Sequence, residues 1–223
     1  MTTFPTPPPE PHPLRLVATL FVAGLCSGLG LVSVNIFTAP LIAANKAAAL
    51  ERAVLEVVPD SATMQELELF GEGEGGRGKP RVFAAYDGSG QFRGYAIKSQ
   101  DFGFQDVIEL IFGYDPAGQV ITGMEVLASK ETPGLGDKIY KDEEFVAQFE
   151  ALAVEPSVEL VKKGKKSAPN QVEAITGATI SSRAVVEKII RSACQEVLEL
   201  LPRDPPPAPA PPPPPSDGEG GER

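Results

Sequence analysis

Histidine is nearly missing from this chain of 223 residues, and tryptophan is missing altogether. The one histidine, His12, stands among prolines ahead of the first apolar run. A Ser-His-Asp triad inside a globular domain is thereby excluded, and a histidine-based metal site has no material. Cysteine is equally sparse: Cys26 lies in the N-terminal apolar run and Cys194 in the last helical stretch, neither in a Cys-x-x-Cys pair, so no disulfide is expected. Basic residues are outnumbered, 20 Lys and Arg against 30 Asp and Glu, for a net charge of −10. Nucleic acid, which needs clustered Lys and Arg interleaved with aromatics, is set aside as a partner.

No Lys or Arg precedes Arg15, and the proline-rich residues 1–15 read as a disordered lead. From Leu16 to Ile36 run 21 residues without a charge, about the length that spans a hydrocarbon core. A cleaved signal peptide would have a basic start and a shorter apolar core, so residues 16–38 are expected to remain as a single-pass membrane anchor. Arg15 on one side opposes Lys46 and Arg52 on the other, and charge alone leaves the orientation near balance.

Residues 39–80 read as a linker helix, Asn45 to Val58, followed by a flexible loop. Within that loop Gly71, Gly73 and Gly76 satisfy Gly-x-Gly-x-x-Gly, and Gly73 with Gly78-Lys79 nearly completes a P-loop. Pro80 occupies the place of the magnesium-binding Ser or Thr, Glu72 and Glu74 would repel phosphate, and no strand-loop-helix surrounds the glycines. A dinucleotide such as NAD is therefore not expected here. Strand-like runs follow at Val82–Tyr86, Phe92–Ile97, Val107–Tyr114 and Val120–Leu127, joined by short turns that suggest antiparallel hairpins. More sheet is expected at Val158–Val161 and Gln171–Ile175, across the solvated basic turn Lys162–Lys166. Val186, Ile190, Ala193, Val197 and Leu201 form an apolar stripe, which predicts an amphipathic helix starting near Ser181 or Ser182 with a serine cap. The fold class is α+β: one transmembrane helix, then an antiparallel sheet with flanking helices over 81–201. Residues 202–223, rich in proline, read as a disordered tail.

Two stretches carry chemistry. Glu173-Ala-Ile-Thr-Gly-Ala-Thr-Ile-Ser-Ser182 places hydroxyls and a glycine at a helix start, where free N–H groups and the helix dipole favour phosphate. Glu131-Thr-Pro-Gly-Leu-Gly-Asp137 is a tight turn whose glycines leave backbone free to approach a flat ligand.

Both stretches resemble segments of the FMN-binding domain family. Thr176-Gly177-Ala178-Thr179 is similar to the family's [Ser/Thr]-Gly-Ala-Thr flavinylation sequence, with Glu173 where Asp is usual. Glu131-Thr132-Pro133-Gly134-Leu135-Gly136 matches a second segment in the family's order, with Ser129-Lys130 where a His is common. The resemblance spans roughly 81–199. It implies FMN joined through its phosphate to Thr179, with Thr176 the rival acceptor. It further implies a cofactor site completed by Gly177, Ala178, Ser181, Glu131, Thr132, Gly134, Leu135 and Gly136, Thr132 and Leu135 touching the isoalloxazine. No catalytic side chain and no metal are expected. The implied function is a membrane-anchored electron-transfer subunit, like the G subunit of Rnf ion-translocating oxidoreductases, in an inner membrane with the flavin domain on the exported, periplasmic side. Its partners would be the other subunits and a flavin transferase. Two alternatives stand beside it: the C subunit of a sodium-translocating NADH:quinone reductase, and a membrane-tethered flavin scaffold or sensor without turnover.

Overall fold

The computed structural model describes residues 13–70, 79–202 and 205–209. The first twelve residues, the glycine-rich stretch 71–78 with its two nucleotide-like patterns, and the chain beyond 209 lie outside them. The chain divides into two compact units, the first ending at Ala48 and the second beginning at Ala49.

The first unit is the exposed part of a single long helix, α1 (Pro13–Val57). Proline suits its first position because the missing N–H has no helical partner there. At about 1.5 Å per residue the helix measures about 67 Å, and its apolar part has a mean hydropathy of 2.1. Among the described residues it is the one helix long and apolar enough to cross a membrane. Thr19 and Thr38 return their hydroxyls to the carbonyls of Arg15 and Val34, so neither leaves an unpaired donor in the apolar stretch. The stretches read as anchor and linker helix form one continuous helix: α1 passes through Pro40 and stops only before Pro59. It also starts inside the stretch read as a disordered lead.

The second unit is built on a six-stranded antiparallel meander, β1 (Thr63–Leu67), β2 (Arg81–Tyr86), β3 (Phe92–Phe102), β4 (Val107–Asp115), β5 (Val120–Ala128) and β6 (Leu152–Ala153), in that order. Both faces are covered, which is why β2 is almost wholly apolar rather than alternating. One face packs Phe83, Ala85, Ala96 and Ile111 against Ala53, Val54 and Val57 at the end of α1. The other packs Tyr86, Tyr95, Ile97, Leu110 and Phe112 against the C-terminal helix α4 (179–197). Each fully buried Leu, Ile or Phe there contributes about 1.5–3 kcal/mol. At Gly113 a Cβ would strike the Val57 carbonyl oxygen and Thr122 Oγ1, so glycine is what lets the end of α1 meet the sheet.

Between β5 and β6 lie two short helices, α2 (Lys138–Lys141) and α3 (Glu143–Val146). A separate pair follows, β7 (Glu159–Val161) and β8 (Gln171–Glu173). The sheet expected on either side of the basic turn is present, its two strands running parallel. The connection folds back on itself, held where Glu173 Oε1 accepts from the backbone N–H groups of Gly164 and Lys166 at 2.9 and 3.2 Å. The tail differs too. Pro205–Pro209 are placed against the domain, with Ala208 packed on the core.

Candidate functional site

Helix α4 starts at Thr179, two to three residues earlier than the serine pattern predicts, and Ala178 at its cap has no side-chain bond to offer. Neither serine caps the helix. Ser182 Oγ instead accepts from Ile175 N at 3.2 Å and donates to the Ala178 carbonyl at 2.9 Å, stitching the turn that carries Thr176 and Gly177. Gly177 holds φ at +86°, in the left-handed region where a side chain is strained. The first turn of α4 therefore keeps N–H groups without helical partners, next to an exposed Thr179.

Ser181 reaches across the domain. Its hydroxyl donates to Glu131 Oε2 at 2.5 Å, and Oε1 of the same carboxylate accepts from the backbone N–H groups of Phe104 and Gln105 at 3.0 and 2.9 Å. Glu131 is thus buried with both oxygens engaged. Burial pushes its pKa up, and the hydrogen bonds from Ser181 and the 104–106 backbone outweigh this and hold it below the ordinary carboxylate value. Space around it is tight: a Cβ on Gly136 would lie 2.6 Å from Glu131 Oε2 and 3.0 Å from Ser181 Oγ. The 132–137 loop closes on the Thr132 carbonyl, which accepts from Leu135 N and Gly136 N at 3.2 and 3.0 Å. Thr132 Oγ1 donates to Gln105 Oε1 at 2.9 Å.

The two stretches meet at a cleft of about 290 Å³ lined by Phe104, Glu131, Thr132, Leu135, Gly136, Gly177, Ala178, Thr179, Ile180 and Ser181. Of the ten residues expected at a cofactor site, the cleft gathers eight; Thr176 and Gly134 stand outside its wall, Gly134 with φ at +78° in the adjoining loop. Phe104 and Ile180 were not expected. They are 65% and 51% exposed, which leaves apolar surface open at the rim beside Leu135 at 50%. The sign in the sequence was the run Gly103-Phe-Gln-Asp106, which reads as a sheet connection until Glu131 is seen to bind its N–H groups. Larger clefts of about 380 and 400 Å³ lie elsewhere and include neither stretch, and one of about 350 Å³ touches only the beginning of the first, at Glu173, Ala174 and Ile175.

Residues 103–193 match the family model described as the FMN-binding domain, a span that opens at the turn under Glu131 and closes within α4. The chain is 34% identical over 139 residues, 62% of its length and 70% of the relative's, to the G subunit of the ion-translocating oxidoreductase complex of Methanosarcina acetivorans. It belongs to that family of G subunits. It is 28% identical to the G subunit of the Na(+)-translocating ferredoxin:NAD(+) oxidoreductase complex of Acetobacterium woodii, covering 78% of this chain and 87% of the relative. The crystal structure of NqrC from Shewanella oneidensis has the same fold, with a TM-score of 0.53 at 21% identity, over 64% of this chain and 89% of that one.

Proposed function

We propose that this protein is the membrane-anchored flavoprotein subunit that carries electrons within an Rnf-type ion-translocating oxidoreductase complex, with FMN joined through its phosphate to Thr179. The single observation that carries the reading is the cleft. It brings an exposed threonine hydroxyl at the open N-terminus of a long helix together with a glycine loop and apolar rim, a set that fits a phosphate at one end and a flat ring at the other. When bound, FMN supplies one- and two-electron redox chemistry that the side chains here lack.

The chain's own residues would bind and orient it. Thr179 Oγ would be the point of attachment, and the N–H groups of the first turn of α4 would favour the remaining phosphate charge. Thr132, Leu135, Phe104 and Ile180 would border the ring, with Gly134, Gly136 and Gly177 shaping the backbone around it. Glu131 and Ser181, the buried part of the wall, would fix the two stretches relative to each other. A flavin transferase would install the cofactor, the remaining subunits would supply donor and acceptor, and the domain would lie on the exported side of the inner membrane.

Intact mass and in-gel flavin fluorescence of membrane-expressed protein, made with its flavin transferase, test the attachment. Wild type should carry one FMN through denaturation and Thr179→Ala none; a Thr179→Ala chain still carrying covalent FMN would refute it. Alkaline phosphatase fused after Leu201 should be active if the domain is exported.

A further inference from the structure

Beyond Leu201 the chain has few backbone donors, because Pro202, Pro205, Pro206, Pro207 and Pro209 carry no N–H. Such a segment cannot extend a sheet, and among the described residues no backbone hydrogen bond joins 205–209 to the domain. It is held differently. Tyr95 Oη donates to the Pro202 carbonyl at 2.8 Å, and Tyr86 Oη donates to the Pro206 carbonyl. Phe92 sits between the two tyrosines, its ring 4.7 Å from Tyr95 and 6.0 Å from Tyr86. Three aromatic rings in a row, with hydroxyls aimed at carbonyls of a proline-rich strand, are the elements by which proline-rich ligands are recognised: rings fit the proline faces and donors meet the only polar groups such a strand offers.

The segment lies on the core rather than in it. Every fully buried member of the main core falls between Val82 and Val197, and of the tail only Ala208 adds a partly buried contact. We propose that Tyr86, Phe92 and Tyr95 form a polyproline-binding groove whose resident ligand is the chain's own tail, through Pro202 and residues 205–209, held as an exchangeable ligand rather than as part of the core. A ligand tethered by so short a connection acts at an effective concentration on the order of millimolar, so a groove weak toward a free peptide is well filled in cis. Recognition rests on proline shape and two carbonyls. The flavin cleft contains none of these residues.

The test uses the full chain in detergent and the same chain ended after Leu201, with a fluorescent peptide of sequence 202–210 followed by polarisation. The shortened chain should bind the peptide saturably, and the full chain at least about tenfold more weakly because its own tail fills the groove. Tyr86→Phe or Tyr95→Phe in the shortened chain should each weaken binding about fivefold, the size of one neutral hydrogen bond. No saturable binding by a folded shortened chain, equal binding of a glycine-serine peptide of the same length, or unchanged affinity in both variants would overturn the proposal. Loss of circular dichroism on shortening would overturn it as well, since the tail would then be part of the core.

Discussion

The hydroxyl of Ser181 donates to Oε2 of Glu131 at 2.5 Å although fifty positions separate the two residues. Through that bond and the N–H groups of Phe104 and Gln105, one carboxylate joins the start of α4, the 132–137 loop and the β3–β4 turn. The walls of the cleft are therefore positioned by a buried side chain that is itself part of the lining.

Replacing Glu131 by Gln should lower stability by roughly 1–3 kcal/mol, since an amide cannot accept at both ends and leaves buried donors short of a partner. Acid dependence should change with it. The folded-state pKa lies below the ordinary value of 4.5, so the carboxylate adds stability above that value and loses it as pH falls from there through the folded pKa. Urea unfolding of wild type and variant over the acid range should show the wild-type curve falling more steeply.

Gly136→Ala should cost about 1–3 kcal/mol, because the new methyl would press on the Glu131 carboxylate and the Ser181 hydroxyl, both already packed. The same change at Gly134, where no atom lies within 4 Å, would act through the strain of φ at +78° instead. Thermal unfolding compares the two, and a double variant with Glu131→Gln should be less than additive only for Gly136.

Made without the flavin transferase, Thr179→Ala should leave stability within about 0.5 kcal/mol of wild type, because the exposed hydroxyl has no hydrogen-bond partner among the described residues. Thr176→Ala should behave likewise and, made with the transferase, retain its flavin under the proposed attachment. Urea titration beside in-gel fluorescence separates a lost acceptor from a lost fold.

Gly113→Ala should destabilise by about 3 kcal/mol, because the Val57 carbonyl and Thr122 Oγ1 occupy the space of the new methyl. Thr122 Oγ1 donates to that same carbonyl at 2.5 Å, so the change also breaks a hydrogen bond. Denaturant unfolding in detergent checks it.

The four long strands were legible because each is an apolar run closed by a turn with its own chemistry, such as Asp87-Gly-Ser-Gly90, where Asp87 Oδ1 accepts from Ser89 N and Gln91 N. The edges were not. Thr63–Leu67 is mixed in polarity and Leu152–Ala153 is two residues long, so neither has a period to read. The start of α4 was misplaced because serines at a helix start usually cap it, whereas here both spend their hydroxyls elsewhere, Ser181 on a residue fifty positions away. Both stretches of the cleft could be marked from their residues, but their meeting, and the part of Phe104, depended on Glu131 turning inward. The docked tail was illegible for a related reason: nothing in a proline run says that two tyrosines will face it.

Tyr95 offers a prediction at the alkaline end. Burial pushes its phenol up to about 12 from an ordinary 10.0, with the neighbouring Tyr86 adding to the shift. The unfolded chain therefore ionises first, and the domain should lose stability as pH rises from about 10 toward 12. Tyrosinate absorbance against pH, with and without urea, should show late-titrating phenols in the native chain only, since burial also raises Tyr86 and Tyr114, and Tyr95→Phe should remove the component near 12.

Helix α4 is not uniform: Thr179–Arg183 and Ser192–Val197 are α-helical, and Ala184–Arg191 between them is π-helical. A π stretch holds one residue more than the α turn it replaces. Deleting that residue would restore a regular helix with both flanks in phase, whereas losing one residue from an α-helical part would rotate Thr179 by about 100° against the buried Ile190–Val197 stripe. The phase of the Thr179 hydroxyl is thus kept by a stretch that takes up a residue without turning the helix. A sequence with both motifs intact but one residue fewer in an α-helical part of α4 would present its threonine to a different wall.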